Sequence, residues 1–136
     1  MKVFISYANA NRELAKKVSE SLKQSGFIVW DSEEEVLPGD NWAEKIAQGL
    51  EEADAMVVIL TQESLLSRAV RKEIEYALGK KTFKHRLIPV YIDSQDNLSE
   101  ENIPWILRRL KIIKLSGNLQ AEKELDQIAQ ALRAVA

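Results

Sequence analysis

Apolar positions along this chain alternate between short continuous runs and a repeat of three and four residues. Val3, Phe4 and Ile5 form the first run. After a polar stretch, Leu14, Val18 and Leu22 recur at four-residue spacing, which puts them on one stripe of a helix. Asn9 or Asn11 can cap that helix, and Gly26 stops it. Phe27-Ile28-Val29-Trp30 is β-branched and aromatic, a buried strand by composition. From Asp31 to Asn41 the residues are polar and include Pro38-Gly39, which predicts a loop whose Asp40 or Asn41 caps the next helix. Trp42, Ile46, Leu50 and Ala53 return to helical spacing. Ala55 to Leu60 is apolar throughout without alternation, the pattern of a parallel strand covered on both faces.

The second half repeats the theme. Leu66, Val70, Ile74, Ala77 and Leu78 predict one helical stripe, and Leu87 to Ile92 another strand. Pro89 has no N–H to give to a ladder, which places that strand near an edge or turns the position outward. Residues 93–104 read as a polar excursion with at most a short helix. Ile112 to Leu115 is a last short strand, and Leu125, Ile128, Leu132 and Val135 stripe the closing helix. Strands alternating with helices of about a dozen residues imply right-handed crossovers and a parallel sheet with helices on both faces. The expected architecture is a single α/β domain over residues 1–136, a flavodoxin-like, doubly wound, five-stranded parallel sheet of order 2-1-3-4-5.

Composition narrows the chemistry. Hydrophobic residues make up 46% and charged residues 29%, ordinary for a soluble globular domain. No apolar run approaches the ~20 residues of a membrane span, and the first run lacks the length of a signal peptide. With no cysteine, disulfides and thiolate sites are ruled out, so a cytoplasmic protein is expected. His85 is the one histidine, in the basic stretch Lys80-Lys81-Thr82-Phe83-Lys84-His85-Arg86. A lone histidine builds no zinc site, and Ser-His-Asp chemistry would have to route through it. The stretch reads as a solvated loop rather than a nucleic-acid site, since it has no aromatic ladder and the net charge is −2. Neither Gly-rich phosphate cradle occurs in the sequence.

Open parallel sheets bind ligands at the carboxyl ends of their strands, where strand order reverses. Here that point lies between the first and third strands. The segments Ser6–Asn11 and Thr61–Ser67 are therefore candidates, with the loop 31–42 folding over from the side. Carboxylates are the main chemical resource left. At about 100° per residue, Glu73 lies about 70° from the centre of its helical stripe, while Glu75 lies about 130° away. Glu73 thus stands at the border of core and solvent, where a carboxylate can be part-desolvated yet face a cleft. Trp30 ends a buried strand and reads as core. Trp42 starts a helix, where an indole either staples the helix or stacks on a ligand ring.

Three segments, in order, resemble one family. Val3-Phe4-Ile5-Ser6-Tyr7 is similar to the first signature of Toll/interleukin-1 receptor (TIR) domains. Gly26-Phe27-Ile28-Val29-Trp30-Asp31 followed by Leu37-Pro38-Gly39-Asp40-Asn41-Trp42 resembles their second strand and BB loop. Ser67-Arg68-Ala69-Val70-Arg71-Lys72-Glu73 is similar to the Trp-x-x-x-Glu helix of the bacterial, NAD⁺-cleaving members. Ala69 stands where that motif has tryptophan, and Ala8-Asn9 where some relatives carry basic residues.

The resemblance implies that Glu73 is the catalytic glutamate and that Tyr7, Ala8, Asp31 and Trp42 are substrate-binding. It implies a NAD⁺ nucleosidase releasing nicotinamide and ADP-ribose or a cyclic isomer, in bacterial defence signalling or NAD depletion. NAD⁺ is then substrate, with no cofactor and no metal. The implied partners are other TIR domains, by self-association through the BB loop (residues 31–42), with no nucleic acid or membrane. Two alternatives keep the fold: a non-catalytic TIR–TIR interaction module, and a nucleoside deoxyribosyltransferase-like enzyme. A phosphoacceptor domain fits poorly, because Leu60-Thr61-Gln62 lacks the aspartate it needs after the third strand.

Overall fold

The computed structural model describes residues 1–83, 85–93, 100–116 and 122–136. In chain order the elements are β1 (Lys2–Ser6), α1 (Arg12–Gln24), β2 (Ile28–Trp30), α2 (Ser32–Glu35), α3 (Trp42–Glu52), β3 (Ala55–Leu60), α4 (Gln62–Leu66), α5 (Arg68–Gly79), β4 (Leu87–Asp93), α6 (Trp105–Arg108), β5 (Ile113–Ser116) and α7 (Glu122–Ala134). Short 3₁₀ turns cover Asn9–Asn11, Lys81–Phe83 and Glu100–Asn102. All strand pairs are parallel, in the order β2-β1-β3-β4-β5, as expected from the sequence.

Strand alternation sorts the core into two layers. Val3, Ile5, Val57 and Ile59 point to one face, where Val18 and Leu22 of α1 and Ile128 and Leu132 of α7 cover them. Phe4, Met56, Val58 and Leu60 point to the other, under Ile46 and Leu50 of α3 and Val70, Ile74 and Ala77 of α5. Trp30 belongs to this second layer as core: its ring stacks on Phe4 at 4.8 Å between centroids, with planes 8° apart. A Cβ added at Gly49 would come within 2.4 Å of the Trp30 ring, so α3 crosses the indole at a distance only glycine allows. Gly26, with φ of 94°, closes α1 in the left-handed region.

Three local expectations change. The stripe drawn through Leu66 and Leu78 is interrupted, for Leu66 is 74% exposed and Leu78 is exposed too. Thr61 and Ser64 form a capping box that starts α4, and Ser67, extended at ψ of 121°, then caps α5 by accepting from the Val70 N–H. The polar loop 31–41 holds a helical turn, α2, nucleated when Asp31 accepts the Glu33 N–H. The basic stretch is not simply solvated. The Lys80 ammonium donates to the carbonyls of Leu50 (2.7 Å), Glu51 (2.9 Å) and Ala53 (3.3 Å), satisfying the carboxyl end of α3. Phe83 is buried, and the Arg86 Nε donates to the Val135 carbonyl. Strand β4 is next to the edge, and its pairing with β5 starts at Val90, just past Pro89. Of the polar excursion 93–104, residues 94–99 lie outside the described residues.

Candidate functional site

Strand β1 ends on the layer covered by α3 and α5 with Ser6, a hydroxyl on an otherwise apolar face. Its Oγ donates to Glu73 Oε1 at 2.6 Å, and both residues are buried. Glu73 is 8% exposed, more enclosed than its place on the helical wheel suggests. Burial pushes its carboxyl from the ordinary 4.5 up to about 7, while the Ser6 bond pulls the other way. Glu75, two positions on, is exposed.

The next residue along, Tyr7, donates its phenol proton to Asp31 Oδ1 at 2.5 Å. Burial first, and then the bond to Asp31, hold the phenol protonated far above its usual range. Asp31, itself buried, joins the end of β1 to the start of α2, because the same Oδ1 caps that turn. Beyond α2, the Leu37 N–H donates to Asp40 and Gly39 adopts a φ of 92°. The Asn41 side chain then accepts the Glu44 N–H, starting α3 at Trp42. The indole is 55% exposed, on the rim.

These segments enclose a cleft of about 200 Å³. Tyr7, Trp42 and Glu73 line it, together with Phe4, Ile5, Asn9, Ser32, Ser67 and Ala69. Ala8 and Asp31, expected to meet a substrate directly, are not among the lining side chains. Ala8 is buried and accepts the Asn11 N–H at its carbonyl, while Asp31 stands behind Tyr7. Asn9, Ser32 and Ser67 fall within the candidate segments Ser6–Asn11, 31–42 and Thr61–Ser67, though none carries an individual expectation as a ligand contact, and Ser6 stands behind the lining as the partner of Glu73. The individual signal at Ser6 is a polar residue on the buried face of a strand. Among the lining residues there is no lysine, arginine or histidine, and the described residues contain no group of three or more His, Cys, Asp or Glu able to hold a metal. No helix among them is long and apolar enough to cross a membrane.

A family model described as the TIR domain matches residues 3–132. The chain belongs to the TIR family. Among curated proteins, this TIR domain is similar to the 2′ cyclic ADP-D-ribose synthase BtTIR of Bacteroides thetaiotaomicron, 28% identical over 86 residues. That stretch is 62% of the present chain and 30% of the relative, so the chain spans under a third of that protein. Among solved structures, a metazoan TIR-STING receptor from C. gigas superposes with a TM-score of 0.79 at 23% identity, over 96% of this TIR domain and 38% of the receptor. The TIR domain of the Toll-related receptor TRR-2 from Hydra magnipapillata gives 0.73 at 18% identity, over 96% and 97% of the two chains. At such identities the structural likeness establishes the fold.

Proposed function

We propose that this TIR domain cleaves the nicotinamide–ribose bond of NAD⁺, with Glu73 as the catalytic residue. The observation that carries the reading is a buried carboxylate at the carboxyl end of β1, held by Ser6 and opening into a cleft with an exposed indole at its rim. Nicotinamide leaves NAD⁺ as a neutral molecule from a cationic ring, so expelling it needs no general acid. What must be stabilised is the cationic, oxocarbenium-like ribose, and an ionised carboxylate in a water-poor cleft does this electrostatically. Trp42 and Tyr7 supply flat walls for the ring and ribose, and Asp31 acts through Tyr7 by fixing its phenol. The products are nicotinamide and ADP-ribose or a cyclic isomer, and the relative named for cyclic ADP-D-ribose synthesis supports the cyclic outcome as one arm to assay. Self-association through residues 31–42, which expose Leu37 and Trp42, belongs to the same reading, as do a cytoplasmic setting and a role in bacterial defence.

The test incubates the concentrated protein with NAD⁺ and follows nicotinamide by chromatography, beside Glu73→Gln and Glu75→Ala. Loss of about a hundredfold or more with Glu73→Gln and none with Glu75→Ala is expected. Absence of release from the wild type, even when fused to an oligomerising partner, would leave the interaction module as the function of the fold.

A further inference from the structure

Ser6 sits where an apolar side chain would ordinarily be. Along β1 it shares its face with Phe4, and across the ladder it pairs with Val58, both members of the apolar layer beneath α3 and α5. A hydroxyl buried there is costly unless bonded, and its bond runs to the one carboxylate in the cleft. Ser6 ends β1, a strand inside the sheet between β2 and β3, and is itself registered with Val58 of β3, so its backbone is anchored to the sheet beside the cleft. Glu73, by contrast, reaches the cleft on a side chain with three rotatable bonds.

Resting on the nucleosidase reading, we infer that Ser6 is the positioning residue of this site: its hydroxyl pins one oxygen of the Glu73 carboxylate to β1, leaves the other to the cleft, and favours the charged form that the reaction uses. Two influences then oppose each other at one group. Enclosure by α5, β1 and the segment after β2 disfavours the charge, and the Ser6 proton offsets part of that penalty. Among the described residues, the burial of Glu73 and its bond to Ser6 are the influences on this balance. Just after β1 the titratable lining group is Tyr7, whose proton is committed to Asp31. The segment 31–42 presents Ser32 and Trp42 to the cleft, α5 presents Ser67 and Ala69, and β3 backs the site with apolar Met56, Val58 and Leu60.

The experiment is the pH profile of kcat/KM for nicotinamide release by wild type, Ser6→Ala and Ser6→Thr. Loss of one hydroxyl bond to a carboxylate moves the midpoint of Ser6→Ala about one pH unit to the alkaline side. Activity then drops about fivefold at pH 7 and returns towards wild type by about pH 9. Ser6→Thr, which keeps the hydroxyl, holds the wild-type midpoint. A Ser6→Ala profile lowered equally at every pH would overturn the inference, since merely looser packing does that. A second readout needs no turnover: the pH at which Glu73 titrates, taken from the stability difference against Glu73→Gln in each background. If the wild type releases no nicotinamide, the nucleosidase reading falls, and this titration decides the role of Ser6 by moving or not moving with Ser6→Ala.

Discussion

Replacing Glu73 by Gln should make this protein more stable at neutral and alkaline pH. The folded chain keeps the Glu73 proton up to about pH 7, whereas the unfolded chain releases it near the ordinary 4.5. Between those values the unfolded state binds fewer protons than the folded one, so stability falls as pH rises through the window. At about 1.4 kcal/mol per pH unit the gap amounts to roughly 3 kcal/mol. Water reaching the cleft oxygen trims that to about 2–3 kcal/mol of penalty above pH 7. Glutamine has nearly the same shape, offers an oxygen to the Ser6 hydroxyl and carries no charge, so it escapes the penalty. Urea denaturation of wild type and Glu73→Gln at pH 4.5, 5.5, 6.5, 7.5 and 8.5 isolates the effect, because other titrations cancel in the difference at each pH. The two proteins should match near pH 4.5 and separate progressively to about 2–3 kcal/mol above pH 7.5, or about 10 °C in Tm. A difference that stays flat across the series would show that the carboxyl is not desolvated, and the electrostatic argument for the site would go with it.

Two further outcomes test the frame around the cleft. Gly49→Ala should cost about 1–2 kcal/mol in urea denaturation despite the better helix propensity of alanine, because its Cβ meets the Trp30 ring and that ring is already stacked on Phe4; a neutral or stabilising result would mean that α3 is free to shift. Lys80→Ala should lose about 1–3 kcal/mol, since it removes a cation from three carbonyls at the end of α3 and from above the Phe83 ring at 4.5 Å, while Lys81→Ala stays within about 0.5 kcal/mol of wild type.

The sheet was legible because each strand buries whole runs of apolar residues and each long helix repeats one stripe. Ala55–Leu60 is apolar throughout, as expected of a parallel strand covered on both faces. What pattern could not supply was anything decided by two elements at once. Glu73 sits at the border of its own helix and is buried because Ser6 and the segment after β2 close over that flank, which a wheel drawn for one helix does not contain. The break at Ser67 is hidden because Leu66, Val70 and Ile74 keep four-residue spacing across it, while the Ser67 hydroxyl, accepting the Val70 N–H, restarts the helix. Lys80 looked like a loop cation since its acceptors lie about thirty positions away in the chain. Asp31 and Tyr7 were marked by family likeness, but that they bond each other rather than jointly facing the cleft is a fact of the third dimension.

The two walls of the cleft are attached to regions of unequal depth. Ser6 ends β1, and Glu73 is carried by α5, which packs on the layer of β1 and β3, strands whose amides lie inside the sheet and exchange with solvent only when much of the domain opens. Trp42 heads α3 at the end of the segment that leaves β2, a three-residue strand at the sheet edge, and that segment is held by the Tyr7–Asp31 bond, the Lys23–Glu34 ion pair and the packing of Val36. Opening of that one wall requires breaking the Tyr7–Asp31 bond, the exposed Lys23–Glu34 ion pair and the contact of Val36 with the core, while the carboxylate stays seated. In the language of cooperative units, the protein separates a fixed reagent from a detachable cover, and hydrogen exchange should find residues 31–42 opening at a small fraction of the free energy that frees β1.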